Sequence, residues 1–78
     1  MNEALNKLDS CVKADTGVSE IIKSFLICLG SRSEIDLGKL CALDNNNFEA
    51  CVILFKALKT EERFDMWEQL NFLGYTKL

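Results

Sequence analysis

Histidine and proline are both absent from this sequence, and each absence excludes something. Histidine is the commonest general base and the commonest metal ligand in proteins, so acid–base and metal-site chemistry that depends on histidine is excluded. Proline kinks helices and stiffens linkers, so nothing here forces a helix to break. Apolar runs such as Phe25 to Leu29 are far shorter than the roughly 20 residues that cross a bilayer. The sequence therefore predicts no membrane span.

Basic charge is also scarce. Nine lysines and arginines, spread from Lys7 to Lys77, are outnumbered by twelve acidic residues, which gives a net charge of −3 and a pI near 4.8. Phosphate backbones are repelled by such a chain, so we expect no nucleic-acid partner. The segment Met1 to Ala4 lacks the basic region and apolar run of a secretory signal. A cytoplasmic protein is expected.

The four cysteines are not spaced as metal ligands. Thiolate zinc sites bring ligands in close pairs such as C-x₂-C, whereas these cysteines lie 17, 13 and 10 positions apart. Each is in or beside an apolar stripe, where a free thiol behaves as a small hydrophobe. We expect buried, reduced thiols, with a disulfide pair or a bound metal as the alternative. The four are Cys11, Cys28, Cys41 and Cys51.

The size and composition indicate one folded domain over residues 1–78. Apolar residues make up 49% of the chain and charged residues 27%, which excludes an intrinsically disordered segment. A chain of 78 residues has a high ratio of surface to volume, so this apolar fraction is hard to bury within one monomer. We therefore expect a homodimer.

The segment from Val18 to Leu29 is the most apolar, and its apolar residues recur at intervals of three and four, which predicts a central helix. A first amphipathic helix is predicted from Glu3 to Ala14. The turn Asp15-Thr16-Gly17 separates the two, with Asp15 or Thr16 capping the second helix and Gly17 tolerating a positive φ. Gly30 occupies the position where a left-handed residue ends a helix.

The second half of the chain predicts three more elements. A short helix is expected over residues 34 to 43, started by a capping box at Ser31 to Glu34 or by the competing frame Ser33 to Asp36. A helix follows the turn 44–47, although residues 51–55 also favour a buried strand. Thr60 starts the last helix, Gly74 ends it, and Tyr75 to Leu78 form a tail that packs back through Tyr75.

Two stripes of residues define how these last helices are expected to face the core. In the fourth helix the stripe is Phe48, Cys51, Val52, Phe55 and Leu58, widened by Ile53 and Leu54. In the last helix it is Phe64, Trp67, Leu70 and Leu73. Connections of about two to five residues are typical of antiparallel neighbours in a bundle. The predicted fold is all-α, a small bundle of four or five short helices.

The last helix also carries the candidate partner-binding residues. Four carboxylates give it an acidic exposed face, for which a solvated helix face outweighs a divalent-cation site. Trp67 is either core or an aromatic anchor, since Trp and Tyr dominate binding hot spots. The candidate residues are Trp67, Tyr75, Phe72, Glu61, Glu62, Asp65 and Glu68. We predict no catalytic residue, no cofactor and no metal ligand.

Several turn and core residues resemble a group of short uncharacterised bacterial proteins, a domain of unknown function. In that group a DTG turn, an FLL helix and an FDL segment come in the order that Asp15-Thr16-Gly17, Phe25-Leu26-Ile27 and Ile35-Asp36-Leu37 have here. A D before an apolar helix follows, as Asp44 does. The likeness covers about residues 4 to 58, and the chain departs from the group near its C-terminus. It implies a small bacterial or mobile-element protein and carries over no active site.

These observations predict a non-enzymatic interaction protein, a small adaptor or inhibitor that binds another protein through an acidic face and an apolar patch. The alternative is a transcription or nucleic-acid accessory factor with a helix-turn-helix-like pair, for which Lys7, Lys13 and Lys23 would have to supply the basic face. A small enzyme is disfavoured because histidine and cofactor motifs are missing.

Overall fold

Five α-helices account for most of the chain, and the computed structural model describes residues 1–15 and 17–76. The helices are α1 (Asn2–Lys13), α2 (Ser19–Gly30), α3 (Leu37–Leu40), α4 (Asn45–Ala57) and α5 (Glu62–Phe72). No strand occurs in these two ranges, which confirms the all-α bundle of four or five short helices. The alternative of a strand over residues 51–55 is wrong, because those residues lie inside α4.

The helices enclose one hydrophobic core with α2 at its centre. α1 packs against α2 and α4, and α2 packs also against α3 and α5. Ile22, Phe25 and Leu26 of α2 are buried, and the Phe25 ring meets the Phe55 ring of α4 edge to face, with centroids 5.4 Å apart. The central position predicted for this segment is confirmed. Every helix in residues 1–15 and 17–76 is too short or too polar to span a bilayer.

The end of α2 differs from the sequence prediction. Gly30 lies in the last turn of the helix, and the left-handed residue is Arg32, with φ 57°. The Ser33 N–H donates to the Cys28 carbonyl at 2.8 Å and the Arg32 N–H to the Leu29 carbonyl at 3.3 Å. This pair of bonds is the Schellman motif, which satisfies the last carbonyls of a helix. Arg32 therefore occupies a backbone conformation that usually belongs to glycine.

A glycine is required at position 30 because the backbone of Tyr75 approaches α2 closely there. A Cβ built on Gly30 would collide with the carbonyl oxygen of Tyr75, so only glycine lets the C-terminal segment lie against α2. That segment leaves α5 through Gly74, whose φ is 89°, and the Tyr75 N–H donates to the Leu70 carbonyl at 2.9 Å. The prediction that Gly74 ends the last helix is confirmed.

In the turn between α1 and α2, a residue other than the predicted glycine has a positive φ, and the N-cap of α2 differs from the prediction. Asp15 has a positive φ, 53°, because it directly follows the C-cap of α1. The N-cap of α2 is Val18, which makes no side-chain cap. Asp15 contributes indirectly, since its carboxylate accepts a hydrogen bond from the Ser19 hydroxyl at 3.4 Å. Thr16, the other predicted cap, and the tail residues Lys77 and Leu78 lie outside the described residues.

α3 is shorter than residues 34 to 43, and neither predicted capping box starts it. Asp36 caps it, its carboxylate accepting from the Gly38 N–H at 3.0 Å, because Asp side chains bond the backbone two residues on. The Ser31 hydroxyl donates back to the Ile27 carbonyl, so it is used at the end of α2. The turn predicted over residues 44–47 is wrong, because α4 already begins at Asn45 with Asp44 as its N-cap. The Asp44 carboxylate accepts a hydrogen bond from the Asn47 side-chain amide in the first turn of α4 at 2.7 Å.

Both C-terminal helices are rotated relative to the predicted stripes. α4 buries Asn47, Ala50, Cys51, Leu54 and Ala57. Ala50 and Ala4 line the groove where α4 meets α1, and small side chains let two helices approach closely. α5 buries Met66 and Leu70. The predicted stripes are therefore wrong at three positions, since Phe48 is 40% exposed, Ile53 44% exposed and Phe64 58% exposed.

Candidate partner-binding surface

The four predicted carboxylates of α5 are all on the surface. Glu61, Glu62, Asp65 and Glu68 are exposed, and the ion pair found among the described residues involves none of them. Asp65 accepts a hydrogen bond from the Gln69 amide at 3.1 Å. Glu61 and Glu62 lie at the helix N-terminus, where the backbone dipole favours negative charge. The first turns of α5 therefore present a set of fixed negative charges to solvent.

Aromatic rings lie among these carboxylates. Phe64 packs edge to face with Trp67, with ring centroids 6.0 Å apart. Phe72, about two helical turns after Phe64, is 88% exposed. The Arg32 guanidinium lies 4.0 Å from the Trp67 ring centroid, and the Arg63 guanidinium lies 4.6 Å from that of Phe64. We call the four carboxylates together with Phe64, Trp67 and Phe72 the aromatic–acidic surface.

A shallow groove of about 230 Å³ opens beside Trp67, between α2, the loop after it and α5. Its walls are largely apolar, and its polar rim is formed by Arg32 and Ser33. The lining residues are Cys28, Leu29, Arg32, Ser33, Ile35, Leu58 and Trp67. The Trp67 Nε1–H is buried and has no acceptor among the described residues. This Trp67 groove continues the aromatic–acidic surface onto α2.

Arg32 and Phe64 are the surface residues that sequence reasoning missed, since Phe64 was expected to face the core. The left-handed backbone of Arg32, fixed by the end of α2, directs the side chain across to α5. The sequence did contain a feature that could have pointed to Arg32. Two of the nine basic residues are arginines, and arginine stacks on aromatic faces better than lysine does. Both arginines lie on aromatic rings of α5.

Tyr75, in contrast, belongs to the core. Its side chain is buried, and its hydroxyl donates to the Asp9 carboxylate of α1 at 2.6 Å. The tail therefore packs back through Tyr75 as predicted, and Tyr75 cannot act as a partner anchor on the surface of this fold. Lys13 pairs with the other Asp9 oxygen at 2.8 Å. We call Asp9, Lys13 and Tyr75 the C-terminal clasp.

The contacts of the clasp shift the pKa values of Asp9 and Tyr75. Burial raises the pKa of Asp9, but the hydrogen bonds from Lys13 and Tyr75 and the charge of Lys13 outweigh it, so the pKa lies below the ordinary 3.8. For Tyr75, burial and the neighbouring Asp9 carboxylate both raise the pKa well above its ordinary value. At neutral pH the pair is a carboxylate and a neutral phenol, which is the combination that forms the short hydrogen bond.

The cysteines follow the sequence prediction in part. All four thiols are free, and burial raises the pKa of Cys51 to about 11. Cys51 is buried, but Cys11 and Cys28 are half-buried and Cys41 is exposed, which corrects the expectation that every thiol is buried. Cys41 lies in the short segment around α3, which buries Leu40 and Leu43 instead. Within residues 1–15 and 17–76, no group of three cysteine or acidic residues is arranged to hold a metal.

The lysines considered for a helix-turn-helix lie on two different helices. Lys7 and Lys13 lie on α1 and Lys23 on α2, and Lys13 is neutralised by Asp9.

Comparison of the whole chain with protein-family models, with curated proteins and with solved structures finds no match.

Proposed function

We propose that this protein is a non-enzymatic interaction module, a small adaptor or inhibitor. It binds a basic segment of another protein that carries apolar side chains. The aromatic–acidic surface of α5, continued by the Trp67 groove, is the binding surface. The observation that carries this proposal is the exposure of Phe64 and Phe72 beside four carboxylates without ionic partners among the described residues.

The chemistry of the surface supports a protein ligand. Interface hot spots are enriched in Trp, Tyr and Arg, which anchor in desolvated pockets, and here Trp67 and Arg32 line one groove. The groove, at about 230 Å³, is smaller than the roughly 300–1,000 Å³ of typical small-molecule sites. It therefore suits a single apolar side chain.

The charge of the surface selects the partner. Complementary charges steer association and exclude wrong partners, so Glu61, Glu62, Asp65 and Glu68 favour a segment rich in lysine or arginine. The proposal includes a cytoplasmic location, which the four free thiols suit because disulfides are rare there. It also includes a homodimeric state, since a chain this small and this apolar favours self-association.

Trp67 provides the assay, because it is the one tryptophan in the chain. The probe is a model amphipathic helical peptide made of leucine and lysine, and the matched probe replaces every lysine with glutamate. We expect a saturable change in Trp67 fluorescence with the lysine-containing peptide and none with the glutamate-containing peptide. Affinity should fall as salt rises, because exposed charges are screened.

Two matched triple variants test the role of the carboxylates. The first, Glu61→Gln with Glu62→Gln and Glu68→Gln, should weaken basic-peptide binding several-fold. The second removes the same charge from exposed positions off this surface: Glu3→Gln, Glu20→Gln and Glu34→Gln. Each variant removes two carboxylates from helix N-terminal ends, Glu61 and Glu62 in the first and Glu3 and Glu20 in the second, so their effects on helix stability are comparable. Equal binding of the two peptides, equal effects of the two variants, or no saturable response to the basic peptide would contradict the proposal.

A further inference from the structure

The outward face of α4 carries apolar side chains on the side opposite the core. Its inward residues are buried, yet Phe48 is 40% exposed, Ile53 is 44% exposed and Val52 is half-buried. A helix that is apolar on both faces is normally covered on both. The outward face of α4 therefore has the composition of an interface.

Two opposite charges lie on the same face at a regular spacing. Glu49 and Lys56 are exposed and line one shallow depression of about 440 Å³ with Phe48, Val52 and Ile53. The two charges are seven positions apart, which places them two turns, about 10 Å, apart along the helix. Their midpoint falls between Val52 and Ile53, the apolar centre of the face. The face is thus acidic at its N-terminal half and basic at its C-terminal half.

We propose that this face is the homodimer interface, with α4 of a second copy packed antiparallel across a two-fold axis between Val52 and Ile53. A two-fold axis makes every contact reciprocal, so Glu49 of each copy meets Lys56 of the other. A parallel arrangement would place Glu49 against Glu49. Antiparallel helices also bring each positive helix end beside a negative one. The charge pattern therefore selects one orientation.

The self-complementary charges argue for a second copy as the occupant. A stable interface buries about 800 Å² on each partner, roughly a sixth of the 5070 Å² surface of this chain. α4 is about 20 Å long, and the edge of α1 with Glu3 and Lys7 adjoins it across a groove that Ile53 also lines. The inference rests on the homodimeric state proposed above and adds its residues and its register.

The experiment measures molar mass against concentration by light scattering and sedimentation. Wild type should reach twice 8.8 kDa. Glu49→Lys and Lys56→Glu should each raise the dimer Kd about ten- to hundred-fold, because either change turns two attractive pairs into two repulsive ones. An equimolar mixture of the two variants should regain wild-type affinity as a heterodimer, since every lysine on the face then meets a glutamate. Circular dichroism confirms that each variant is folded.

Glu20→Lys and Lys23→Glu are the matched controls. Both residues are exposed on α2, which meets α4 across the core, so the mass of these variants should match wild type. A dimer unaffected by Glu49→Lys and Lys56→Glu, or a variant mixture that stays monomeric, would overturn the α4 interface and leave the homodimer standing. Wild type that is monomeric at every concentration would overturn both. Peptide binding at α5 is measured separately, so its failure is distinguishable from each of these results.

Discussion

Tyr75→Phe deletes one oxygen atom from the C-terminal clasp and leaves the shape of the core intact. The lost bond is the 2.6 Å contact to Asp9, and hydrogen bonds to charged groups contribute about 1.5–3 kcal/mol. The Lys13 side chain on the same carboxylate is 70% exposed, and exposed pairs contribute about 1 kcal/mol or less. We therefore expect Tyr75→Phe to cost about 2 kcal/mol and Lys13→Met less than half of that.

That loss is large for this chain. Stabilities of about 0.05–0.15 kcal/mol per residue give about 4–12 kcal/mol for 78 residues. For a domain of this size each kcal/mol shifts Tm by about 4–8 °C, so Tyr75→Phe should lower Tm by about 8–16 °C. Urea and thermal unfolding followed by circular dichroism measure both variants.

The pH dependence provides the second half of the test. The folded-state pKa of Asp9 is below 3.8, so its stabilisation is present above pH 3.8 and is lost as pH falls through the folded pKa. The folded-state pKa of Tyr75 is raised from 10.0, so its stabilisation is present below pH 10 and is lost as pH rises above it. The cost of Tyr75→Phe should be constant from pH 5 to 9 and shrink at both extremes. A cost below about 0.5 kcal/mol at pH 7, or one that does not change toward pH 3, would refute the clasp.

The backbone features of the site give two further predictions. Gly30→Ala forces a Cβ against the Tyr75 carbonyl and should lower the free energy of unfolding by about 2–3 kcal/mol, as overpacking does. The Cβ of Gly74→Ala meets open space, so this variant should lose about 1 kcal/mol because of the positive φ. A lower Tm for Gly74→Ala than for Gly30→Ala would contradict this. Arg32→Gly and Arg32→Ala both remove the stack on Trp67 and should alter its fluorescence. Arg32→Gly should be about 1 kcal/mol more stable than Arg32→Ala, because glycine relieves the left-handed strain. Equal unfolding midpoints for these two variants would show that the strain is absent.

The sequence by itself determined the helices and most of their bounds. Apolar residues at intervals of three and four, as in Ile22, Phe25, Leu26 and Leu29, are a local property that requires one buried helical face whatever lies against it. The acidic first turns of α5 and the stop at Gly74 are equally local, since they depend on charges and conformations within one helix end. The exposed carboxylates of the candidate surface were predictable for this reason.

Only the tertiary structure decided which residues meet across the bundle. Phe48 and Phe64 fit a buried stripe by spacing, but the packing of α4 against α1 and of α5 against α2 turned them outward. Asp9 and Tyr75 are 66 positions apart, and Arg32 reaches Trp67 only because α2 ends beside α5. Periodicity fixes a helical face in isolation, whereas the partner of that face depends on the shapes of all the helices packed together.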